Sequence, residues 1–176
     1  MTASPPELCY LSYENFLADV TALAEQVRND SAWQPDFVIG IGRGGLVPAV
    51  YISHRLDLPM LSIDHSSKVP GFADELLGKV AAKSANGVKL LFIDDINDSG
   101  STIAYVRRLL EEGDCTGDNL RFAVVMSNIR SQVEVDYRAH TIDRSTDKRW
   151  YVFPWEAVGK RADIEAEAVS VPERLA

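Results

Sequence analysis

Apolar residues along the chain recur in two different periods. After Ser12, positions Phe16, Leu17, Val20, Leu23, Ala24 and Val27 form one helical stripe, and the serine suits an N-cap, so an amphipathic helix is predicted to about Asn29. Residues 37–41, 60–63, 90–93 and 121–126 are instead short, nearly uninterrupted apolar runs, as strands covered on both faces require. Helical patterns follow them: one with Pro48 in its first turn, then Val50, Tyr51 and Ile52, ending near Leu56; a weaker one at Phe72, Leu76, Leu77 and Val80; and one at Ile103, Val106, Leu109 and Leu110. Residues 133–137 and 139–142 read as short edge strands, and the aromatic stretch 149–156 as a rim, because Pro154 is unsuited to a central strand. Residues 157–176 are charged, weakly patterned and assigned no chemistry. Strands alternating with helices predict an α/β fold with a mainly parallel sheet flanked by helices, in one domain spanning 1–176.

Two of the strands run into residues that bind rather than pack. Residues 88–102 read V-K-L-L-F-I-D-D-I-N-D-S-G-S-T: an apolar run, an acid pair, then a turn of small polar residues entering a helix. Asn97, Ser99, Gly100, Ser101 and Thr102 offer amides, hydroxyls and the positive end of a helix dipole, which together suit a phosphate. Asp94 and Asp95 would repel that phosphate in direct contact, but they suit the vicinal hydroxyls of a sugar or a hydrated Mg²⁺. The plainer alternative is an ordinary strand-to-helix turn capped by Asp98 or Ser99. Residues 40–48, G-I-G-R-G-G-L-V-P, hold a second glycine turn. Gly40, Gly42 and Gly45 satisfy G-x-G-x-x-G, and Asp64 follows at dinucleotide-fingerprint spacing. Against that reading stand the long helix before the strand, Arg43 inside the turn, and the second anion site at 97–102.

The run D-D-I-N-D-S-G-S-T closely resembles the signature of the type I phosphoribosyltransferases, which bind 5-phosphoribosyl-1-pyrophosphate (PRPP). The resemblance extends over about residues 37–156. It implies that Asp94 and Asp95 hold the ribose hydroxyls and, with water and PRPP oxygens, Mg²⁺. It places Asn97, Asp98, Ser99, Gly100, Ser101 and Thr102 on the 5′-phosphate. G-R-G-G resembles the family's pyrophosphate loop, so Gly42, Arg43, Gly44 and, further on, Lys68 are expected on the diphosphate. A strained cis peptide near Gly42-Arg43 is expected with it. Residues 66–87 correspond to a mobile hood that keeps water from a reactive sugar cation.

The segment R-W-Y-V-F-P-W-E resembles the base-binding end of the bacterial and archaeal 6-oxopurine members. Trp150 is then the residue that stacks on the base, and Val152 lies beside it; Trp155 reads better as part of an aromatic mini-core. Asp98 aligns with the acid that manages the proton at N7, and Arg43 serves the departing diphosphate; these are the two catalytic assignments. Asn128 stands where purine-specific members carry a lysine for O6, which would route O6 recognition through water, Lys148 or Arg130. The implied reaction is phosphoribosyl transfer from PRPP to N9 of hypoxanthine, guanine or xanthine, with pyrophosphate released. The alternatives are a PRPP-sensing regulator without turnover, or transfer to another base. Family members are commonly dimers or tetramers, so a homo-oligomer is expected.

Composition narrows these readings. A net charge of −8 argues against general nucleic-acid binding and leaves a polyanionic substrate dependent on local basic residues and a divalent cation. Cys9 and Cys115 have neither zinc-ligand nor disulfide-framework spacing, and His54, His65 and His140 show no metal or nucleophile spacing. With no apolar stretch approaching 18 residues and no basic-then-apolar leader, no membrane association and a cytoplasmic setting are expected.

Overall fold

The computed structural model describes residues 5–63, 73–113, 115 and 117–170. Its elements are β1 (Leu8–Tyr10), α1 (Tyr13–Arg28), β2 (Phe37–Ile41), α2 (Gly42–Leu56), β3 (Met60–Ile63), α3 (Ala73–Ala85), β4 (Leu90–Asn97), α4 (Ser101–Glu112), a 3₁₀ turn at Gly117–Asn119, β5 (Leu120–Asn128), β6 (Tyr137–Ile142), β7 (Trp150–Val152) and α5 (Arg161–Ser170). Five strands form one sheet in the order β3-β2-β4-β5-β6, and every neighbouring pair is parallel.

Alternation along the strands divides the core between two faces. Leu90 and Phe92 point with Ile39 and Phe122 toward Leu77 and Val80 of α3 and Ile103, Val106 and Leu110 of α4. Leu91 and Ile93 point the other way with Val38 and Val125, toward Phe16, Val20 and Leu23 of α1 and Ala49 and Ile52 of α2. Both faces are therefore dry, which is why these strands read as continuous apolar runs. The Ser12 hydroxyl accepts from the Asn15 amide at 3.1 Å, capping α1 as the sequence predicts.

Several boundaries differ from expectation. The glycine turn is not a separate loop: Gly42 at φ 55° turns the chain, and α2 begins there. Pro48 consequently lies in the second turn of α2, where it deprives the Gly44 carbonyl of its usual helical donor. The expected cis peptide is not found, as the described residues contain none. β4 continues through Asp94 and Asp95 to Asn97, so the acid pair belongs to a strand end and only Asp98–Gly100 separates it from α4. One edge strand, β6, replaces the two expected over 133–142.

Ala73–Ala85, placed within the hood by resemblance, is a helix with Leu77, Val80 and Ala81 buried in the core; Lys68 and the rest of 64–72 lie outside the described residues. Two elements carried no sequence signal. β1 pairs in parallel with β7 as a separate two-stranded sheet, Leu8 opposite Trp150, and α5 buries Ile164 and Ala168. Among the described residues no helix is long and apolar enough to cross a membrane.

Candidate active site

Strand register brings the two motifs together. β2 and β4 are neighbours with Gly40 opposite Ile93, so α2 starts beside the acid pair that ends β4. A Cβ on Gly45 would overlap the Ile93 carbonyl, and one on Gly44 would overlap the Asp95 carboxylate. The missing side chains therefore let a helix N-terminus close against two carboxylates. The site occupies the carboxyl edge of the sheet where strand order reverses, the usual crevice of open α/β sheets.

The acid pair is desolvated. The Asp94 carboxyl is raised well above its ordinary value, by burial first and then by the charge of Asp95. Burial raises Asp95 to about 6, while the Ile96 amide, donating at 2.7 Å, opposes that shift. Glu156 is raised to about 7 by burial; Asp95 and Glu167 act on it as like charges, and Arg43 as an opposite one. Its carboxylate accepts from the Phe153 amide at 2.9 Å. Glu156 is thus the point on which charges from α2, β4 and α5 converge. In the sequence Glu156 stands at the end of R-W-Y-V-F-P-W-E without a role of its own, and nothing local marks Glu167.

The following turn is differently built from its expectation. Asn97 faces inward: its amide donates to the Val133 carbonyl at 2.8 Å and its oxygen accepts from the Ser131 hydroxyl at 2.9 Å, so it anchors the loop after β5 instead of facing a phosphate. Gly100, at φ 89°, is the N-cap of α4 and offers no side chain. The Ser99 and Ser101 hydroxyls lie 2.9 Å apart at that N-terminus, and Ser101 and Thr102 form its first turn. Ser99, Gly100, Ser101 and Thr102 are therefore grouped where an anion would find amides and hydroxyls.

Asp98 points elsewhere. Its carboxylate meets the buried guanidinium of Arg144, Nη2 to Oδ2 at 2.8 Å and Nε to Oδ2 at 2.9 Å. Asn128 is 4% exposed and fully engaged: its amide donates to the Asp98 carbonyl and Oδ1 at 3.1 and 3.2 Å, and its oxygen accepts the amides of Arg130 and Arg144. An asparagine with every position committed to protein has no donor left for a base oxygen, so its expected base contact is corrected to a structural one. A cavity of about 270 Å³ opens here, lined by Asp98, Ser99, Asn128, Arg130, Gln132, Arg144, Ser145 and Lys148.

Trp150 is half-buried in β7, its amide donating to the Glu7 carbonyl at 2.8 Å. Trp150 does not line the cavity at Asp98. The Val152 side chain is fully buried and its carbonyl accepts from Leu11, so Val152 belongs to the strand packing rather than to a ligand surface. Trp155 stacks on Phe153 with ring centroids 4.9 Å apart and meets Phe16 edge-on, the mini-core expected of it.

Comparison with known proteins bears on the family and the fold. A xanthine-guanine phosphoribosyltransferase of Ruegeria sp. (strain TM1040) is 27% identical over 160 residues, covering 84% of each chain. The crystal structure of a purine phosphoribosyltransferase from Pyrococcus horikoshii Ot3 superposes with a TM-score of 0.62 at 25% identity, over 84% of this chain and 93% of that one. A hypothetical protein from Neisseria gonorrhoeae, crystallised with bound ppGpp, shares the fold at a TM-score of 0.67 and 21% identity, over 94% and 97% of the two chains. The family model for the phosphoribosyl transferase domain matches residues 10–158, which include β2, both motifs and β7, and the chain belongs to that family.

Proposed function

We propose that the protein transfers the 5-phosphoribosyl group from PRPP to N9 of a 6-oxopurine, releasing pyrophosphate. The observation that carries this reading is the close approach of the G-R-G-G helix start to the desolvated pair Asp94 and Asp95, with the Ser99–Thr102 helix start following on the same strand. One substrate with a diphosphate, two adjacent hydroxyls and a second phosphate uses all three features. Arg43 and the α2 amides receive the diphosphate, the acid pair receives the ribose hydroxyls, and the α4 N-terminus receives the 5′-phosphate. Departure of diphosphate leaves an oxocarbenium-like sugar, so holding the leaving group and aligning the base nitrogen are the tasks of these residues.

Mg²⁺ fits the acid pair: its donors are oxygen only, and burial disfavours the ionised form of both carboxyls, a cost that a bound cation would offset. No group of three or more metal-ligating side chains occurs among the described residues, so Asp94 and Asp95 would share the ion with water and substrate oxygens. When bound, Mg²⁺ supplies countercharge to the diphosphate. With Asn128 closed, the cationic groups beside Asp98 for the base O6 are Arg130 and Lys148, and Trp150 remains the stacking candidate. The 27% identity to xanthine-guanine enzymes supports a purine over a pyrimidine.

The engaged carboxylate of Asp98 favours one second reading, a PRPP-binding regulator without turnover. Pyrophosphate release with PRPP, Mg²⁺ and each of hypoxanthine, guanine, xanthine, uracil and orotate separates them. Turnover with a 6-oxopurine is expected; PRPP binding without turnover supports the regulator, and turnover with pyrimidines alone sinks the purine assignment. The double variant Asp94→Asn, Asp95→Asn is expected to lose PRPP binding in calorimetry while remaining folded.

A further inference from the structure

Arg144 has no place in the assignments above, yet it is among the most constrained side chains in the molecule. Its side chain is 3% exposed, and the desolvation of a guanidinium is tolerated only where its donors are met. Those donors divide between two parts of the site. Nε and Nη2 grip both oxygens of Asp98, at 2.8 to 3.1 Å. On the other side, Nη1 donates to the Arg149 carbonyl at 2.6 Å, one residue before Trp150, and the guanidinium lies over the Tyr151 ring at 5.6 Å. The Arg144 amide also donates to Asn128 at 3.2 Å, where β5 ends. One residue thus joins the turn after β4, the end of β5 and the entrance to β7.

A pair serving stability alone would gain nothing from placing its acid at a cavity. Asp98 retains 15% exposure and lines the 270 Å³ cavity together with Arg130 and Lys148. A planar fork on both oxygens fixes the direction of the carboxylate as well as its charge, which a lysine cannot do. We propose that Arg144 is a positioning residue: it orients Asp98 toward the base and locks that carboxylate to the strand bearing Trp150, so that phosphate-side and base-side groups keep one relative geometry. This rests on the phosphoribosyl-transfer reading, because it acts through Asp98.

The test is a double-mutant cycle on the full-length enzyme, with pyrophosphate release as the assay. Arg144→Met is expected to lower kcat about 100-fold, the scale of a misplacement near 1 Å, with the KM for PRPP within about twofold of wild type. In the Asp98→Asn background the same change should lower kcat by less than about threefold, since residues acting as a unit are not additive. If Arg144→Met fails to fold, Arg144→Lys keeps the charge without the fork; it should be folded, normal in PRPP KM and reduced at least tenfold in kcat. Full activity of folded Arg144→Lys, or equal losses from Arg144→Met in both backgrounds, overturns the inference alone. Absence of purine turnover by the wild-type enzyme overturns the functional reading and this inference with it.

Discussion

Gly44 and Gly45 sit side by side yet face obstacles of different kinds. A methyl at Gly45 meets the Ile93 carbonyl, which is backbone inside the sheet and cannot yield cheaply; at Gly44 it meets the Asp95 carboxylate, which can rotate away. Gly45→Ala is therefore expected to destabilise the fold by about 1–3 kcal/mol in urea unfolding. Gly44→Ala should leave stability unchanged or gain up to about 1 kcal/mol of helix propensity. It should nevertheless weaken PRPP binding roughly tenfold or more in calorimetry, the equivalent of about 1.4 kcal/mol, because the displaced group is Asp95. Glu156 gives a pH signature. Its folded value of about 7 lies above the ordinary 4.5, so its protonation stabilises the fold fully below about 4.5, and that contribution is lost as pH rises through 7. Glu156→Gln keeps an acceptor for Phe153 and removes the titration; its Tm should exceed wild type at pH 8 and match it near pH 4.5. At this scale the sequence shows which residue types surround a site but not where they face. Asn97 and Asn128 carry the right chemistry, yet their partners are supplied by chain some thirty residues away in the first case and by Asp98 and Arg144 in the second.

Elements were legible wherever burial imposed a period. The strands buried on both faces and the stripes of α1 and α4 follow directly from their apolar positions. Boundaries were less legible at the site, because a glycine run can open a helix as readily as form a loop, and an acid pair can end a strand whose neighbours tolerate its burial. The three-residue strands β1 and β7 are too short to show any period; α5 buries only Ile164 and Ala168, too sparse a stripe to read. The interval assigned to a hood by resemblance contains α3, whose inner residues are as buried as those of α4. Leu77→Ala should accordingly cost about 2–5 kcal/mol in urea unfolding, the range of a filled core position. A change below about 0.5 kcal/mol would mean that α3 contributes little to the core.

At the scale of the molecule, the candidate groups all gather at one edge because every strand of the main sheet runs the same way. Strand β7, which carries Trp150, is the exception in its support: it lies outside that sheet and is held by β1 through Leu8, Cys9 and Tyr10. Deleting residues 1–10 should leave PRPP affinity within about twofold while raising the KM for the base, with only a small loss of Tm, since β1 adds no member to either core cluster. A steady-state assay alongside calorimetry separates the two effects. The same pairing orders events in time. It joins residues from opposite ends of the chain, so its closure entropy must be met by three rungs of ladder, whereas the β2-β4-β5 centre forms from nearer partners with both faces covered. β1 and β7 should therefore be the last rungs to close during refolding and the first to open in the native state. Under hydrogen exchange, the amides of Cys9 and Val152 should be labelled through a local opening while Phe92 and Val124 wait for global unfolding.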